Sequence, residues 1–162
     1  MSTMGGTVSE RTGGSQQVPT AEQVSAILAG LPDHLVLPVA LIAACGLRVG
    51  ELLALERGDI LVGEDGMWLC IERSLMKRPG SDTGVGPVKR GGPFEVPVPE
   101  PLAERLRRHL TAQDGQPDDP LFTTPKGDTW QTTTFTRAYS KATAGSPSSN
   151  VSLHMLRHAV VG

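Results

Sequence analysis

The stretch Gly46–Leu55, GLRVGELLAL, determines the fold, because it ends one helix, begins the next and places a charged pair at the junction. Gly46 follows an apolar run with helical spacing, and glycine readily takes the left-handed conformation that ends a helix. Arg48 points away from the leucine face of the short helix that follows, and Glu51, three residues on, can hold its guanidinium in place. An arginine fixed in this way suits bidentate phosphate binding, although a surface Arg–Glu pair on a core helix gives the same pattern.

Two helices are predicted before this stretch. Thr20 followed by Gln23 is a capping-box pattern, which predicts a helix over about 21–29 that the next glycine closes. Asp33 can cap a second helix, whose residues are largely apolar. Pro38 stands about one turn from its start, where a proline is tolerated or kinks the helix.

The sequence period changes after this stretch. Residues 59–62 and 67–73, joined by a turn at Glu64-Asp65-Gly66, predict a β-hairpin, and Phe94–Val98 predicts a third strand. Residues 77–92 are rich in glycine, proline and basic side chains, and they are predicted to form a loop.

Three more helices are predicted in the rest of the chain: an amphipathic helix over about 99–111, a helix over 131–144 and a last helix that Ser152 caps. The fold class is therefore α+β, mainly α-helical with a small three-stranded antiparallel sheet. Residues 1–18 are rich in Gly, Ser, Thr and Gln without periodicity, so they are predicted to be a disordered tail. Residues 19–162 then form one domain of ordinary size.

Composition narrows the class of protein. The 162 residues contain no apolar run long enough to span a membrane and no signal peptide, so a cytoplasmic protein is expected. Cys45 and Cys70 lie in apolar surroundings and are predicted to be buried, reduced thiols.

The net charge is −2, but its distribution is uneven. Residues 1–72 hold three Lys/Arg against nine Asp/Glu, and residues 73–162 hold twelve Lys/Arg against eight Asp/Glu. Any phosphate-binding surface is therefore expected mostly in the second part, although an ordinary solvated surface has the same composition.

A second charged stretch is His154-Met155-Leu156-Arg157-His158. On a helix His154 and Arg157 share a face, and an imidazole beside a guanidinium can bind a phosphate and move a proton. His154 and His158 could instead bind a metal, but no third ligand is evident and Arg157 would repel a cation, so no metal is predicted. A plain polar surface is the other alternative.

Lys89, in the predicted loop ahead of the third strand, is a further candidate. A loop lysine can move into a site and donate a proton, although most such lysines are simply solvated.

Taken together, these features resemble the catalytic domain of tyrosine recombinases, the phage integrase family. The resemblance covers about residues 19–160 and rests on the order GLRxxELLAL, hairpin, lysine loop, FEVPVP, LFTTPKGDTW and HxLRH. It implies that family's fold, and DNA integration and recombination through a phosphotyrosyl link. It implies double-stranded DNA as the partner and no metal or cofactor.

The resemblance also implies a role for each matching residue. Arg48 and Arg157 match the two arginines that hold the non-bridging oxygens of the phosphate. Lys89 matches the general acid, His154 matches a histidine that assists proton transfer, and Glu51 matches an acidic residue that orients the site. The neighbouring basic residues of the loop are expected to bind DNA: Lys77, Arg78 and Arg90.

Two departures from the family pattern affect the expected activity. The chain ends at Gly162, ahead of the segment that carries the family's nucleophilic tyrosine, so the fold is expected to be incomplete and the chain inactive alone. Its only tyrosine, Tyr139, is predicted to be a core residue.

The second departure is at the N-terminus. Residues 1–18 are too short for a DNA-clamping domain, so weak, salt-dependent DNA binding is expected. Apolar surface exposed near residues 153–161 predicts marginal stability or self-association.

Four hypotheses remain open at this point. The chain is an inactive recombinase remnant, an enzyme completed by the tyrosine of another protomer in trans, a non-catalytic DNA-binding or interfering subunit, or a helical interaction domain unrelated to DNA. The three DNA hypotheses imply a cytoplasmic, nucleoid-associated protein, and none implies a membrane.

Overall fold

The computed structural model describes residues 18–76, 84–87 and 92–159. The predicted disordered tail lies outside these residues, apart from Val18, which is exposed. The described elements, in chain order, are α1 (Ala21–Gly30), α2 (Asp33–Cys45), α3 (Val49–Leu53), a 3-10 turn (Arg57–Asp59), β1 (Ile60–Gly63), β2 (Gly66–Ile71), β3 (Arg73–Met76), β4 (Gly84–Pro87), β5 (Phe94–Val98), α4 (Glu100–Ala112), α5 (Thr132–Thr143) and α6 (Leu153–Leu156).

The first helices begin and end largely as their sequence predicts. Thr20 and Gln23 form the predicted capping box at α1, with hydrogen bonds of 3.1 and 2.8 Å between each side chain and the other residue's backbone N–H. Gly46 ends α2 in the left-handed conformation, at φ 70°. The prediction that Asp33 caps α2 is wrong, because Pro32 takes that position and Asp33 is the first helical residue. Its charge still lies in the first turn, where the helix dipole favours an acidic side chain.

The predicted β-hairpin and third strand are confirmed. Strands β1 and β2 pair antiparallel from Ile60↔Leu69 to Gly63↔Gly66, which leaves a two-residue turn between them. Strand β5 pairs antiparallel with the other edge of β2, so the sheet order is β1-β2-β5. One face of β2 is buried against the helices, and this face holds Met67, Leu69 and Ile71.

The prediction that residues 77–92 form a loop throughout is wrong at 84–87. Strand β4 pairs with β3 in a second, two-stranded sheet, from Arg73↔Pro87 to Met76↔Gly84. The sequence of β4, GVGP, lacks the side-chain alternation that signals a strand, so its pairing depends on the backbone of β3. This two-stranded sheet packs against α3.

Helix α2 lies at the centre of the core. It contacts α1, α3, α4, α6 and β5, and Val39, Leu41 and Ile42 are completely buried. Helix α5 adds Phe135 and Tyr139, which confirms that Tyr139 is a core residue. The fold class is therefore α+β and mainly helical, as predicted.

The prediction of exposed apolar surface near residues 153–161 is wrong for the described part of that segment. Leu153 and Leu156 are buried, and the exposed side chains are the polar ones, His154 and His158. Residues 160–162 lie outside the described residues.

Within the described part of the chain, no helix has the length and apolar character needed to cross a bilayer.

Candidate functional site

Arg48 stands at the N-terminus of α3, where the chain turns out of α2. Leu47 is buried beside it, while the arginine itself is half-buried. The buried Glu51 carboxylate accepts a hydrogen bond of 2.9 Å from the backbone N–H of Arg48. The sequence predicted that Glu51 contacts the guanidinium, but this hydrogen bond goes to the backbone instead. Glu51 therefore fixes the backbone from which the Arg48 side chain projects.

The second charged stretch is positioned by a cap and two buried leucines. Ser152 begins α6 as predicted, because its hydroxyl accepts a hydrogen bond of 3.1 Å from the N–H of Met155. Leu153 and Leu156 anchor the helix in the core. His154 is consequently exposed on the outer face, and Arg157 follows the last helical residue and is half-buried.

His154 and His158 are in contact on this outer face. Their ring centroids are 5.0 Å apart and the ring planes meet at 80°, an edge-to-face arrangement. The pKa of His158 lies below the usual 6.5, first through partial desolvation and then through the positive charges of Arg157, His154 and Arg48. Arg48, at the start of α3, is thus one of the positive charges that disfavour protonation of His158.

These relations define one patch, which we call the cationic patch: Arg48, His154, Arg157 and His158. Of the predicted site residues, His154 lies in α6 and Arg157 directly follows it, while Arg48 begins α3 and acts electrostatically on His158. Sequence reasoning weighed His158 as a metal ligand or as a plain polar surface residue, and gave it no part in the phosphate site. The signal was available in its spacing of four residues from His154.

Glycine at position 50 allows the β3–β4 sheet to approach the patch. A Cβ atom added there would lie 2.7 Å from both the carbonyl oxygen of Leu75 and the hydroxyl oxygen of Ser74. Strand β3 therefore packs directly on the first turn of α3, two residues from Arg48.

Four predicted residues belong to the segments that join these strands to each other and to β5: Lys77, Arg78, Lys89 and Arg90. All four lie outside the described residues, so their roles stay predictions. In the sequence, Lys77 directly follows β3 and Lys89 comes two residues after β4.

Neither the cysteines nor the tyrosine offers an activated nucleophile. Burial raises the pKa of the Cys45 thiol to about 11. A hydrogen bond to Glu72, followed by desolvation, raises that of Cys70 to about 11. Both thiols are free and only half-buried, which corrects the prediction of buried cysteines. Burial raises the pKa of Tyr139 to about 12, so each of these groups stays protonated at neutral pH.

A separate cleft of about 450 Å³ lies between the start of α2, the end of α4 and residues 120–127. Its polar side chains are mostly engaged in holding the chain together. Arg57 donates to the backbone carbonyls of Leu110 and Gln113, and the His109 ring lies 2.7 Å from the carbonyl oxygen of Leu121. Among the described residues, no group of three or more His, Cys, Asp or Glu is arranged to hold a metal ion.

The fold is that of tyrosine recombinase catalytic domains. The chain aligns with the Tn1549 transposon integrase in complex with transposon right end DNA at a TM-score of 0.64 and 16% identity, over 88% of this chain and 51% of the other. It aligns with the XerA recombinase at a TM-score of 0.64 and 19% identity, over 93% and 50%. It aligns with the XerH recombinase bound to difH substrate at a TM-score of 0.61 and 18% identity, over 90% of this chain and 42% of the other.

The sequence comparison agrees with the fold. The profile described as the phage integrase family matches residues 17–161. Integrases of Mycobacterium phages L5 and FRAT1 are each 29% identical to this chain over 85% of its length. The chain belongs to the phage integrase family. It spans 38% of the length of the L5 integrase and 42% of that of the FRAT1 integrase.

Proposed function

We propose that this chain is part of a DNA integrase or site-specific recombinase, and that its cationic patch binds a phosphate diester of double-stranded DNA. The observation that carries the proposal is the match of the phage integrase family profile to residues 17–161, a span that contains Arg48, His154 and Arg157. Two guanidinium groups and an exposed imidazole suit the non-bridging oxygens of a phosphate. The relatives that carry the names integrase and recombinase support the same role, and we propose that the protein acts at the nucleoid DNA.

Each member of the patch has a defined part in this proposal. Arg48 and Arg157 bind the two non-bridging oxygens and stabilise the charge that grows on them in the transition state. His154, which is exposed, donates to one of these oxygens or accepts a proton there. Lys89 is proposed as the acid that protonates the leaving 5′-oxygen, with Lys77, Arg78 and Arg90 as additional contacts to the DNA backbone.

The covalent step needs a tyrosine outside these 162 residues, because Tyr139 is the only one in the sequence and it is buried. In this step a tyrosine oxygen attacks phosphorus, the bond to the 5′-oxygen breaks and that oxygen takes up a proton. We propose that this tyrosine belongs either to a longer form of the polypeptide or to a second protomer that supplies it in trans. A non-catalytic DNA-binding subunit is the alternative that the burial of Tyr139 favours.

Duplex binding measured by fluorescence anisotropy at low salt tests the patch. We expect Arg48→Ala and Arg157→Ala each to weaken binding about tenfold or more, equivalent to roughly 1.4 kcal/mol. Each should also reduce, by about one, the magnitude of the slope of the logarithm of the association constant against the logarithm of the salt concentration. Arg108→Ala is the matched control, because Arg108 is exposed on α4 and pairs with Glu104 at 3.4 Å. Equal losses in all three variants, or no duplex binding by the wild type, would contradict the proposal.

A nicked suicide duplex tests the covalent step. The chain is incubated with the duplex alone and together with a tyrosine-bearing family member whose own Arg48 equivalent has been replaced. A DNA–protein adduct that forms only in the mixture supports completion in trans. Duplex binding without an adduct in either reaction supports the non-catalytic alternative.

A further inference from the structure

The site roles implied by the family resemblance use His154 and Arg157 but leave His158 without a part. The structure places its imidazole edge-to-face against that of His154, with ring centroids 5.0 Å apart. Both rings are exposed, Arg157 directly precedes His158, and the charge of Arg48 also acts on this imidazole. An exposed imidazole beside Arg157 can contact an anion that this arginine binds.

We propose that His158 is a further phosphate-contacting residue of the cationic patch, and that it takes up a proton when a phosphate diester of DNA binds there. The proposal rests on the proposed function, because it takes the patch as the phosphate site. The step is a proton transfer, in which an N–H bond forms on the imidazole as the proton leaves a solvent oxygen. A proton from solvent joins a neutral imidazole, and the resulting imidazolium donates a hydrogen bond to a phosphate oxygen.

Electrostatics explains why protonation should await the ligand. Two guanidinium groups are always charged, and a proton on either histidine brings a third positive charge to the patch. The neighbours that act on His158 are all cationic or able to become so: Arg157 and His154 from the same stretch, and Arg48 from α3. Glu51, the acidic residue in the first turn of α3, is buried and bonded to the backbone of Arg48.

The pKa of His158 is accordingly lowered in the free protein, so the ring is mainly neutral at pH 7. A bound phosphate adds negative charge to the patch and reverses this effect, which raises the pKa of the ring. Because protonation and binding are linked, DNA should bind more tightly as the pH falls through the titration of His158. A single proton taken up strengthens binding by at most about tenfold for each pH unit.

Imidazole resonances in two-dimensional NMR report the titration of each histidine directly. The chain contains four histidines, so variants with one replaced at a time assign the signals. We expect the His158 midpoint below 6.5 in the free protein and a higher midpoint when the chain is saturated with a short duplex.

Two variants separate a proton-linked role from a merely structural one. His158→Phe keeps an aromatic ring against His154, and His158→Asn keeps a hydrogen-bonding group, but neither takes up a proton. We expect both to lose part of the strengthening of duplex binding that the wild type shows between pH 8 and pH 5.5. His34→Asn, which also removes one imidazole, should retain the wild-type pH profile.

The outcomes distinguish this inference from the proposed function. If Arg48→Ala and Arg157→Ala abolish duplex binding while the His158 midpoint is the same with and without DNA, His158 takes up no proton and only this inference falls. If His158→Phe keeps the full wild-type pH profile, the same conclusion holds. If the wild type binds no duplex at low salt, the proposed function falls and this inference with it.

Discussion

The phenol of Tyr139 donates a hydrogen bond to the backbone carbonyl of Val151 over 2.8 Å. This contact joins the middle of α5 to the residue just before the Ser152 cap, so it helps to set where α6 and its charged residues begin. The side chain is 2% exposed. A hydroxyl held in this way serves as a structural support for the cationic patch and does not reach a phosphate.

The ionisation of Tyr139 should be displaced to high pH. Burial raises its pKa from 10 to about 12, and it is the only tyrosine in the sequence, so absorbance at 295 nm reports this residue alone. We expect a midpoint near 12 in a rapid pH jump that is complete before unfolding, and near 10 in denaturant. Between these two values the unfolded chain binds fewer protons than the folded chain, so stability should decrease as the pH rises above 10.

Tyr139→Phe provides the control, since it removes the absorbance change and the hydrogen bond together. It should cost about 1–2 kcal/mol of unfolding free energy, because the Val151 carbonyl loses its buried donor. A midpoint near 10 in the folded protein would show that the phenol is accessible, which would reopen the question of Tyr139 as a nucleophile.

Local signals account for most of what the sequence predicted correctly. The Thr20–Gln23 capping box, the Ser152 cap and the Gly46 stop each act within one helical turn, so they can be read without knowledge of the fold. Strand β4 was not predicted because its sequence, GVGP, has no alternating pattern of side chains. It forms a strand only through its pairing with β3. The electrostatic influence of Arg48 on His158 links two residues far apart in the sequence, and no local pattern encodes it.

Replacement of Glu51 should affect both stability and DNA binding. Its carboxylate accepts the N–H of Arg48 over 2.9 Å, and loss of such a cap costs about 0.5–2 kcal/mol. Glu51→Ala should therefore lower the unfolding free energy by this amount in urea titrations. It should also weaken duplex binding several-fold, because the backbone beneath Arg48 loosens. Glu51→Gln keeps an acceptor oxygen and should lie between Glu51→Ala and the wild type in both measurements.

Gln23 offers a matched control for this effect, since its side chain accepts the N–H of Thr20 over 2.8 Å in the same geometry at α1. Gln23→Ala should cost similar stability and leave duplex affinity unchanged. If both alanine variants reduce affinity equally, the loss reflects general destabilisation and Glu51 has no specific part in placing Arg48.

Gly50→Ala should disturb the packing of β3 on α3. The added methyl group would lie 2.7 Å from the backbone oxygen of Leu75, so the strand must shift. We expect a loss of about 1–3 kcal/mol from overpacking, although alanine is the better helix former by about 1 kcal/mol. Gly30→Ala meets no atom within 4 Å and should leave stability unchanged or slightly higher. Equal urea midpoints for the two variants would show that β3 does not press on α3.

The ion pair between Arg73 and Asp59 should stabilise the start of the β3–β4 sheet more than any exposed pair does. Asp59 is 9% exposed, it bonds to the Arg73 guanidinium, and it also accepts the N–H of Glu56 over 2.9 Å. Asp59→Asn keeps the shape and the acceptor but removes the charge, so Arg73 loses its closest counterion in a half-buried position. We expect the free energy of unfolding to fall by about 1–3 kcal/mol.

Glu104→Gln is the control, because it breaks the exposed 2.8 Å pair with Arg107. It should lower the free energy of unfolding by less than about 0.5 kcal/mol. Urea denaturation compares the two directly, and equal costs would mean that solvent screens Asp59 as fully as it screens a surface carboxylate.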